Sequence, residues 1–455
     1  MINKLKQHNL SFWYLNIMMI LMIILPKSND FLERFPIRVG LMALFPLIVF
    51  YEYRKGKLKF NDNKTKVLSI IYGLFILFMI PSVFISKSFI TSIYTIVKFI
   101  LFYITFYIVV KTDYTDKEKN IIFSTLILTT LGTIIYGILD YIFDFNLFKL
   151  SNSMYPGMRG RIRSTFFNPC YYATFLSLMF IVILYKISTL KKNKKIEIIY
   201  ILICILTYLA FLFSFTRSAF LVLIVMFIMA LFFFRKTILN IKTLIVTLIV
   251  ILATCLLPGG RPFVLKTIDD GYLYVNNLLS FLPDINFGET SEEEVEEETE
   301  FNDLSLQHRE AYAKMAKEIA NDNMITGIGA GAYLQYMASP EFDEKYPDYD
   351  YNKVVPHSSL LLLFAETGIL SVIMIIAFVG MLLLNMVITI LKYWKNNQKA
   401  HDYAALNFII SCGFLAVSLM SENLFYDTQI YPIYLIICGL LINNMISVIK
   451  TKTAK

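Results

Sequence analysis

Along most of the chain the apolar positions neither alternate with polar ones nor keep to one helical face. They run together in blocks long enough to span a bilayer core, which takes about 20 helical residues. The blocks predict membrane-spanning helices over 11–26, 36–52, 67–86, 90–110, 121–141, 170–188, 196–214, 219–234, 243–258, 368–391, 403–420 and 430–448. Strand-like alternation bounded by turn residues is absent, so a β-barrel is not expected. The expected fold class is an all-α integral membrane protein of about twelve transmembrane helices with one large extracytoplasmic loop. Three parts follow: 1–258 with spans one to nine, 259–356 as the large loop with a helix at about 305–320, and 357–455 with a re-entering helix and spans ten to twelve. The first block follows Lys4 and Lys6 as a signal peptide would. No small-x-small cleavage site precedes Lys27, so it reads as a retained anchor.

Composition agrees with the pattern. The chain has 455 residues, 57% hydrophobic and 17% charged, with a mean hydropathy of +0.61. That is too little polar surface to cover a water-soluble protein of this size. The net charge of +8 comes largely from short links between the blocks. Segment 53–66 holds Arg54, Lys55, Lys57, Lys59, Lys64 and Lys66. Lys191, Lys192, Lys194 and Lys195 sit in a second link, Arg235, Lys236 and Lys242 in a third, and Lys392, Lys395 and Lys399 in a fourth. With twelve spans, all of these and the terminal Lys450, Lys452 and Lys455 fall on one side. The positive-inside rule makes that side cytoplasmic, with both termini there, in a bacterial cytoplasmic membrane. The basic clusters then encode orientation, and no nucleic-acid partner is expected. The five cysteines, Cys170, Cys204, Cys255, Cys412 and Cys438, lie in or beside apolar blocks and read as packing residues, not as a disulfide framework or metal site.

The same parity places 144–169, 214–219 and 259–356 on the far side, and the chemistry collects there. Loops as long as 259–356 are usually functional or disordered. Its acidic run 289–300, ETSEEEVEEETE, repels itself and reads as solvated. A helix is expected over 305–320, capped by Ser305, stopped by Asn321-Asp322-Asn323, and carrying Arg309 near an apolar stripe of Leu306, Ala313, Ala316 and Ile319. Gly327, Gly329 and Gly331 mimic a phosphate loop, but no strand precedes them. A tight turn against the membrane is expected instead. Tyr346 to Tyr351 alternates aromatics and carboxylates in a manner suited to sugar rings, although an ordinary loop has the same look.

His357 stands where the chain returns to the membrane. A neutral imidazole there suits a general base, and a helix cap is the open alternative. Glu366, nine residues on, would point to the opposite face of one helix, so it is expected to pair with an arginine on another helix. Arg217, between Thr216 and Ser218, lies at the junction of two spans and needs a phosphate or carboxylate partner. Arg161 and Arg163 precede Phe167-Asn168-Pro169 at another such junction. Interfacial snorkelling is the competing reading for each arginine.

In order, these motifs are an arginine-rich FNP, S-F-T-R-S-A, a large outer loop with an arginine helix and a G-x-G-x-G turn, and His-Ser before A-E-T-G-I-L. The order resembles the bacterial O-antigen ligase and polymerase superfamily. Ser358 stands where the family commonly has Asn, Tyr312 where it often has Trp, and the proline usual before the glycine turn is absent. The resemblance implies the all-helical, lipid-donor type of membrane glycosyltransferase. Such an enzyme moves a glycan from undecaprenyl pyrophosphate to an acceptor hydroxyl with no cofactor and no metal. It implies His357 as catalytic base, Arg217, Arg309, Arg161 and Arg163 as the residues that bind the donor pyrophosphate, and Glu366, Thr216 and Ser218 in support. The expected partners are an undecaprenyl-pyrophosphate-linked oligosaccharide, a glycan acceptor, membrane lipid, and a flippase and chain-length regulator. Polymerase is the favoured activity, transfer to a lipid, protein or wall acceptor the alternative. A lipid-linked glycan flippase or transporter is the reading from another class. Lys98, the clearest charge inside a span, is its main support.

Overall fold

The computed structural model describes residues 9–25, 37–60, 65–143, 161–166, 168–190, 194–234, 304–347, 354–420 and 423–453, together with 246, 249 and 254. Regular structure among them is helical, apart from one bridge between Phe60 and Thr112. Eleven predicted spans appear as α1 (Leu10–Ile24), α2 (Ile37–Arg54), α3 (Lys66–Ile85), α4 (Phe89–Lys111), α5 (Asp116–Phe143), α6 (Pro169–Thr189), α7 (Lys194–Leu212), α8 (Arg217–Phe233), α13 (Ile369–Tyr393), α14 (Gln398–Met420) and α15 (Ile430–Thr453). Between α8 and α13 come α9 (Leu304–Asp322), α10 (Tyr333–Met337), α11 (Pro340–Lys345) and α12 (Ser359–Thr367). Most of the predicted span 243–258, the acidic run 289–300 and most of the Tyr/Asp cluster lie outside the described residues.

Eight of these helices, α3 to α7 and α13 to α15, are long and apolar enough to cross a membrane. α1 and α8 are apolar but shorter, and α2 carries Arg38, Glu52 and Arg54 within its length. The protein is thus a multi-pass helical membrane protein, with eight such spans among the described residues against the twelve expected. α3 packs on α13, α4 and α14 on α15, α6 on α7, and α8 on α14. Their shared core is rich in rings. Phe414 and Tyr434 stack at 4.0 Å between α14 and α15, and Tyr72 of α3 stacks on Tyr103 of α4 at 4.4 Å.

The bundle has two chemically different ends. At one, the described basic links meet. Asp113 donates its N–H to the Lys59 carbonyl at 3.1 Å, Asn9 donates to the Lys57 carbonyl, and Asn443 donates to the Thr112 carbonyl. His401 lies at this end too, 3.0 Å from Asp402 and edge-on to Trp394. The opposite end holds the polar junctions. Thr165 and Gln429 both donate to the Ile23 carbonyl at 2.8 Å, and the Ile162 N–H bonds the Phe213 carbonyl. The loop helices pack over this second end.

Candidate functional site

Four segments build the second end. The first is 161–168, whose FNP motif has a local cause. Asn168 caps α6 by accepting from the Tyr171 N–H at 2.9 Å, and Pro169 occupies the first helical position, where no N–H is needed. Such a cap contributes about 1 kcal/mol. Upstream, Arg161 reaches the turn before α8. Its Nε donates to the Ser214 carbonyl at 2.7 Å and its Nη2 to Thr216 Oγ1 at 3.0 Å. Arg161 therefore spends donors on positioning the Arg217 turn. Arg163 is buried, within electrostatic reach of Tyr136.

The two joined segments also hold both non-glycine residues of positive φ among those described, Ser164 at 54° and Phe215 at 46°. Strained backbone of this kind persists only where surroundings over-determine it, and it gathers at functional sites. Arg217 begins α8 and is half-buried, with Thr216 and Ser218 buried on either side.

The second segment is α9. It begins one residue before the expected Ser305 cap and ends at Asp322. Its inward face is Tyr312, Met315, Ala316, Ile319 and Ala320, which share a small core with Leu361, Leu362 and Ala365 of α12. The side chain of Leu306, expected on this stripe, lies outside the described residues, as does that of His308. Tyr346 donates to Asp322 at 2.8 Å and Lys345 pairs with it at 3.0 Å, tying α11 back to the end of α9. The Tyr346 hydrogen bond and the Lys345 charge hold the Asp322 carboxyl below the usual carboxylate range. Burial pushes the Tyr346 phenol up.

The third is the glycine turn. Gly327, Gly329 and Gly331 all have positive φ, at 69°, 119° and 70°. A Cβ on Gly327 would lie 2.2 Å from the backbone carbon of Glu366, and one on Gly331 would lie 2.2 Å from Thr95 Oγ1. The turn does cradle an anion, as its likeness to a phosphate loop suggests, but the anion is the protein's own. Glu366 Oε2 accepts from the Gly331 N–H at 2.7 Å and Oε1 from the Tyr333 N–H at 3.2 Å. This corrects the arginine partner expected for Glu366. Lys98 and Tyr426 are the side chains within electrostatic reach of it. Lys98, read from sequence as an isolated charge in a span, donates to the Tyr426 carbonyl at 3.2 Å and lies 5.1 Å from that ring's centre.

The fourth segment is 354–368. Ser358, not His357, holds the N-cap position of α12, and its side chain makes no capping bond. Two hydrogen bonds straddle His357 and Ser358: Asn423 Nδ2 to the Pro356 carbonyl at 2.7 Å, and the Phe425 N–H to Ser359 Oγ at 3.4 Å. Sequence reasoning passed over Asn423. The run of polar residues in the short link 421–429 between two spans was the available signal.

These ties bring the predicted residues to one end. α9 and α12 run side by side in the same direction, joined at their C-terminal ends where the Ile369 N–H bonds the Met324 carbonyl at 2.8 Å. Arg309 lies in the second turn of α9, and His357 lies two residues before α12. Arg309 is half-buried, and its Nη1 is buried with no hydrogen-bond partner among the described residues. Gly413 touches Met226 where α14 crosses α8. Arg217, at the start of α8, directly follows the turn that Arg161 holds at this end. Arg161, Arg217, Arg309 and His357 thus belong to segments at the same end of the bundle, and such groups suit a charged phosphate ester and a hydroxyl.

Residues 201–376 match the family model for O-antigen ligase, Wzy_C. Over this stretch the chain is similar to the O-antigen ligase family. The stretch contains Arg217, Arg309, His357, Glu366, Thr216 and Ser218, while Arg161 and Arg163 lie outside it and Arg161 reaches into it. No curated protein matches the chain. Among the described residues, no group of three or more His, Cys, Asp or Glu side chains is placed to hold a metal ion. Among the described residues Cys170, Cys204, Cys412 and Cys438 form no disulfide. Cys255 lies outside the described residues.

Proposed function

We propose that this protein is a polysaccharide polymerase. It transfers a glycan from undecaprenyl pyrophosphate to a sugar hydroxyl of another lipid-linked repeat unit, at the outer face of a bacterial cytoplasmic membrane. What supports the reading is the match of residues 201–376 to the O-antigen ligase family model, together with the packing of the Arg309 helix on the helix that follows His357.

In this reading His357 takes the proton of the acceptor hydroxyl as its oxygen attacks the anomeric carbon. The bond from that carbon to the pyrophosphate oxygen breaks, and the configuration inverts. Arg217 and Arg309 neutralise the charge that grows on the leaving pyrophosphate, so no metal is needed. Arg161 holds the Arg217 turn, and Arg163 adds to the positive field. The basic end of the bundle faces the cytoplasm by the positive-inside rule, which puts the site outside with the lipid-linked substrate. A flippase that delivers the donor and a chain-length regulator are the protein partners this places beside it.

The test uses purified protein with a synthetic undecaprenyl-pyrophosphate-linked repeat unit and no metal or nucleotide. A ladder of products from wild type, absent from His357→Ala, is the expected result. Transfer only when a different lipid, protein or wall acceptor is added would replace polymerase with ligase. Movement of the donor across a vesicle membrane without transfer would replace both with a flippase.

A further inference from the structure

The glycine turn lies deeper than a surface loop. The Ala330 N–H bonds Ser82 Oγ at 3.1 Å, and Gly331 abuts Thr95. Ser82 is three residues inside the end of α3 and Thr95 six residues inside the start of α4. At 1.5 Å per residue the turn reaches about 4 and about 9 Å past those helix ends. Non-helical backbone at membrane depth is tolerated only where its polar groups are satisfied by protein.

That condition is met residue by residue. The N–H of Gly327 bonds the Asn323 carbonyl, that of Ile328 the Ala365 carbonyl, that of Gly329 the Glu366 carbonyl, and that of Ala332 the Gly329 carbonyl, all at 2.8–3.0 Å. Ala330 uses Ser82, and Gly331 and Tyr333 use the Glu366 carboxylate. Seven consecutive N–H groups thus have acceptors inside the protein, which a water-exposed loop has no need of.

The flanks of the turn are apolar and face outward. Ile325 is 73% exposed, Met324 49% and Leu334 47%. The Met324 tie to Ile369 sets Ile325 at the first turn of α13, whose outward row continues through Leu370, Ile373 and Ile376. Phe84 and Ile90, at the ends of α3 and α4, are 77% and 81% exposed. Lys87 and Glu341, which pair with each other, mark the polar edge of this patch.

We propose that residues 324–334 form a re-entrant turn of the bilayer, with Ile325 and Leu334 in contact with lipid. The occupant is lipid because the patch is continuous with the outward faces of α3 and α13, two membrane-crossing helices. The turn would fix the height of α9, and so of Arg309, over the membrane; that consequence rests on the proposed function, whereas the turn itself does not.

The test places single cysteines at Ile325, Leu334 and, as a control, Glu341, in full-length protein with the five native cysteines replaced. Each is labelled with an environment-sensitive fluorophore and reconstituted into vesicles containing nitroxide-labelled phospholipid. Several-fold stronger lipid quenching at 325 and 334 than at 341 is expected. Quenching at all three by aqueous iodide but not by lipid would overturn the proposal. Amide exchange of unmodified protein in nanodiscs gives a label-free check. Gly329 to Gly331 should be as protected as the interior of α3, and loop-like exchange there would also overturn it. Neither readout needs transferase activity, so its failure is separate from failure of the proposed reaction.

Discussion

Glu366 and Gly331 meet in a single hydrogen bond of 2.7 Å, from the backbone N–H of the glycine to the carboxylate. The carboxylate belongs to the helix that follows His357, and the glycine to the turn that follows the Arg309 helix. The contact therefore locks the two halves of the candidate site to each other. Glu366 is 2% exposed, so little water competes for the bond.

Glu366→Gln tests that lock. A carboxamide has one oxygen to accept with, and its NH2 would face a second backbone donor, from Gly331 or Tyr333. One buried N–H is left unsatisfied, at a cost of about 1–3 kcal/mol. The variant should fold with a lowered melting temperature and transfer glycan at least about 10-fold more slowly, as a loss of that energy in site geometry allows. Thermal unfolding and turnover on the same preparation check both. Wild-type values in each would show that the carboxylate positions nothing.

Replacing His357 with Ala should lower turnover by about 10²–10⁴-fold, the usual contribution of a positioned base. Donor binding should be unchanged, because the pyrophosphate is assigned to the arginines. Steady-state kinetics together with a direct donor-binding assay separate the two effects. A variant that keeps full turnover would remove the base assignment.

Arg161 and Arg217 should fail differently. Arg161→Gln removes the clamp on Ser214 and Thr216, and it is expected to raise the donor KM and cost about 10-fold in kcat/KM, near 1.4 kcal/mol. Arg217→Lys keeps a charge but loses the planar fork, and it should cost more. Equal losses in the two variants would argue that Arg161 contacts the donor itself.

Gly327→Ala should be among the most damaging small substitutions. The residue has φ of 69°, and a Cβ would sit 2.2 Å from the backbone carbon of Glu366. Left-handed backbone costs a non-glycine residue about 1–2 kcal/mol before any overlap is counted. Loss of folded protein in size-exclusion chromatography is expected. By contrast Gly380→Ala, with open space around the added carbon, should behave as wild type.

The link between α9 and α11 should loosen in acid. The Asp322 carboxyl is held below its ordinary value by Tyr346 and Lys345. Its contribution is therefore present above the unfolded carboxylate pKa and is lost as pH falls through the lower folded value. The group is partly exposed, so the effect is local and reduced by salt. Limited proteolysis near 346 should accelerate below about pH 4 in wild type, and Asp322→Asn should already be labile at neutral pH.

What the sequence determined by itself was the class of structure and the identity of its reactive groups. Apolar blocks of bilayer length must become helices, because lipid offers no partner to an unpaired backbone group. Asn168 and Pro169 marked a helix start through purely local bonding, and three closely spaced glycines marked a turn that no other residue could make. The tertiary structure alone decided who meets whom. Sequence pairing rules gave Glu366 an arginine, but the fold gives it two backbone amides, and amides leave no trace in residue identity. Arg161 has a phosphate-binding look in sequence, and the fold sets two of its donors on Ser214 and Thr216, 53 and 55 positions away. Asn423 acquires its place beside His357 through a bond to the Pro356 carbonyl, 67 residues distant. Contacts across such separations depend on how helices pack, and packing is a property of shapes in three dimensions that periodicity along one does not contain.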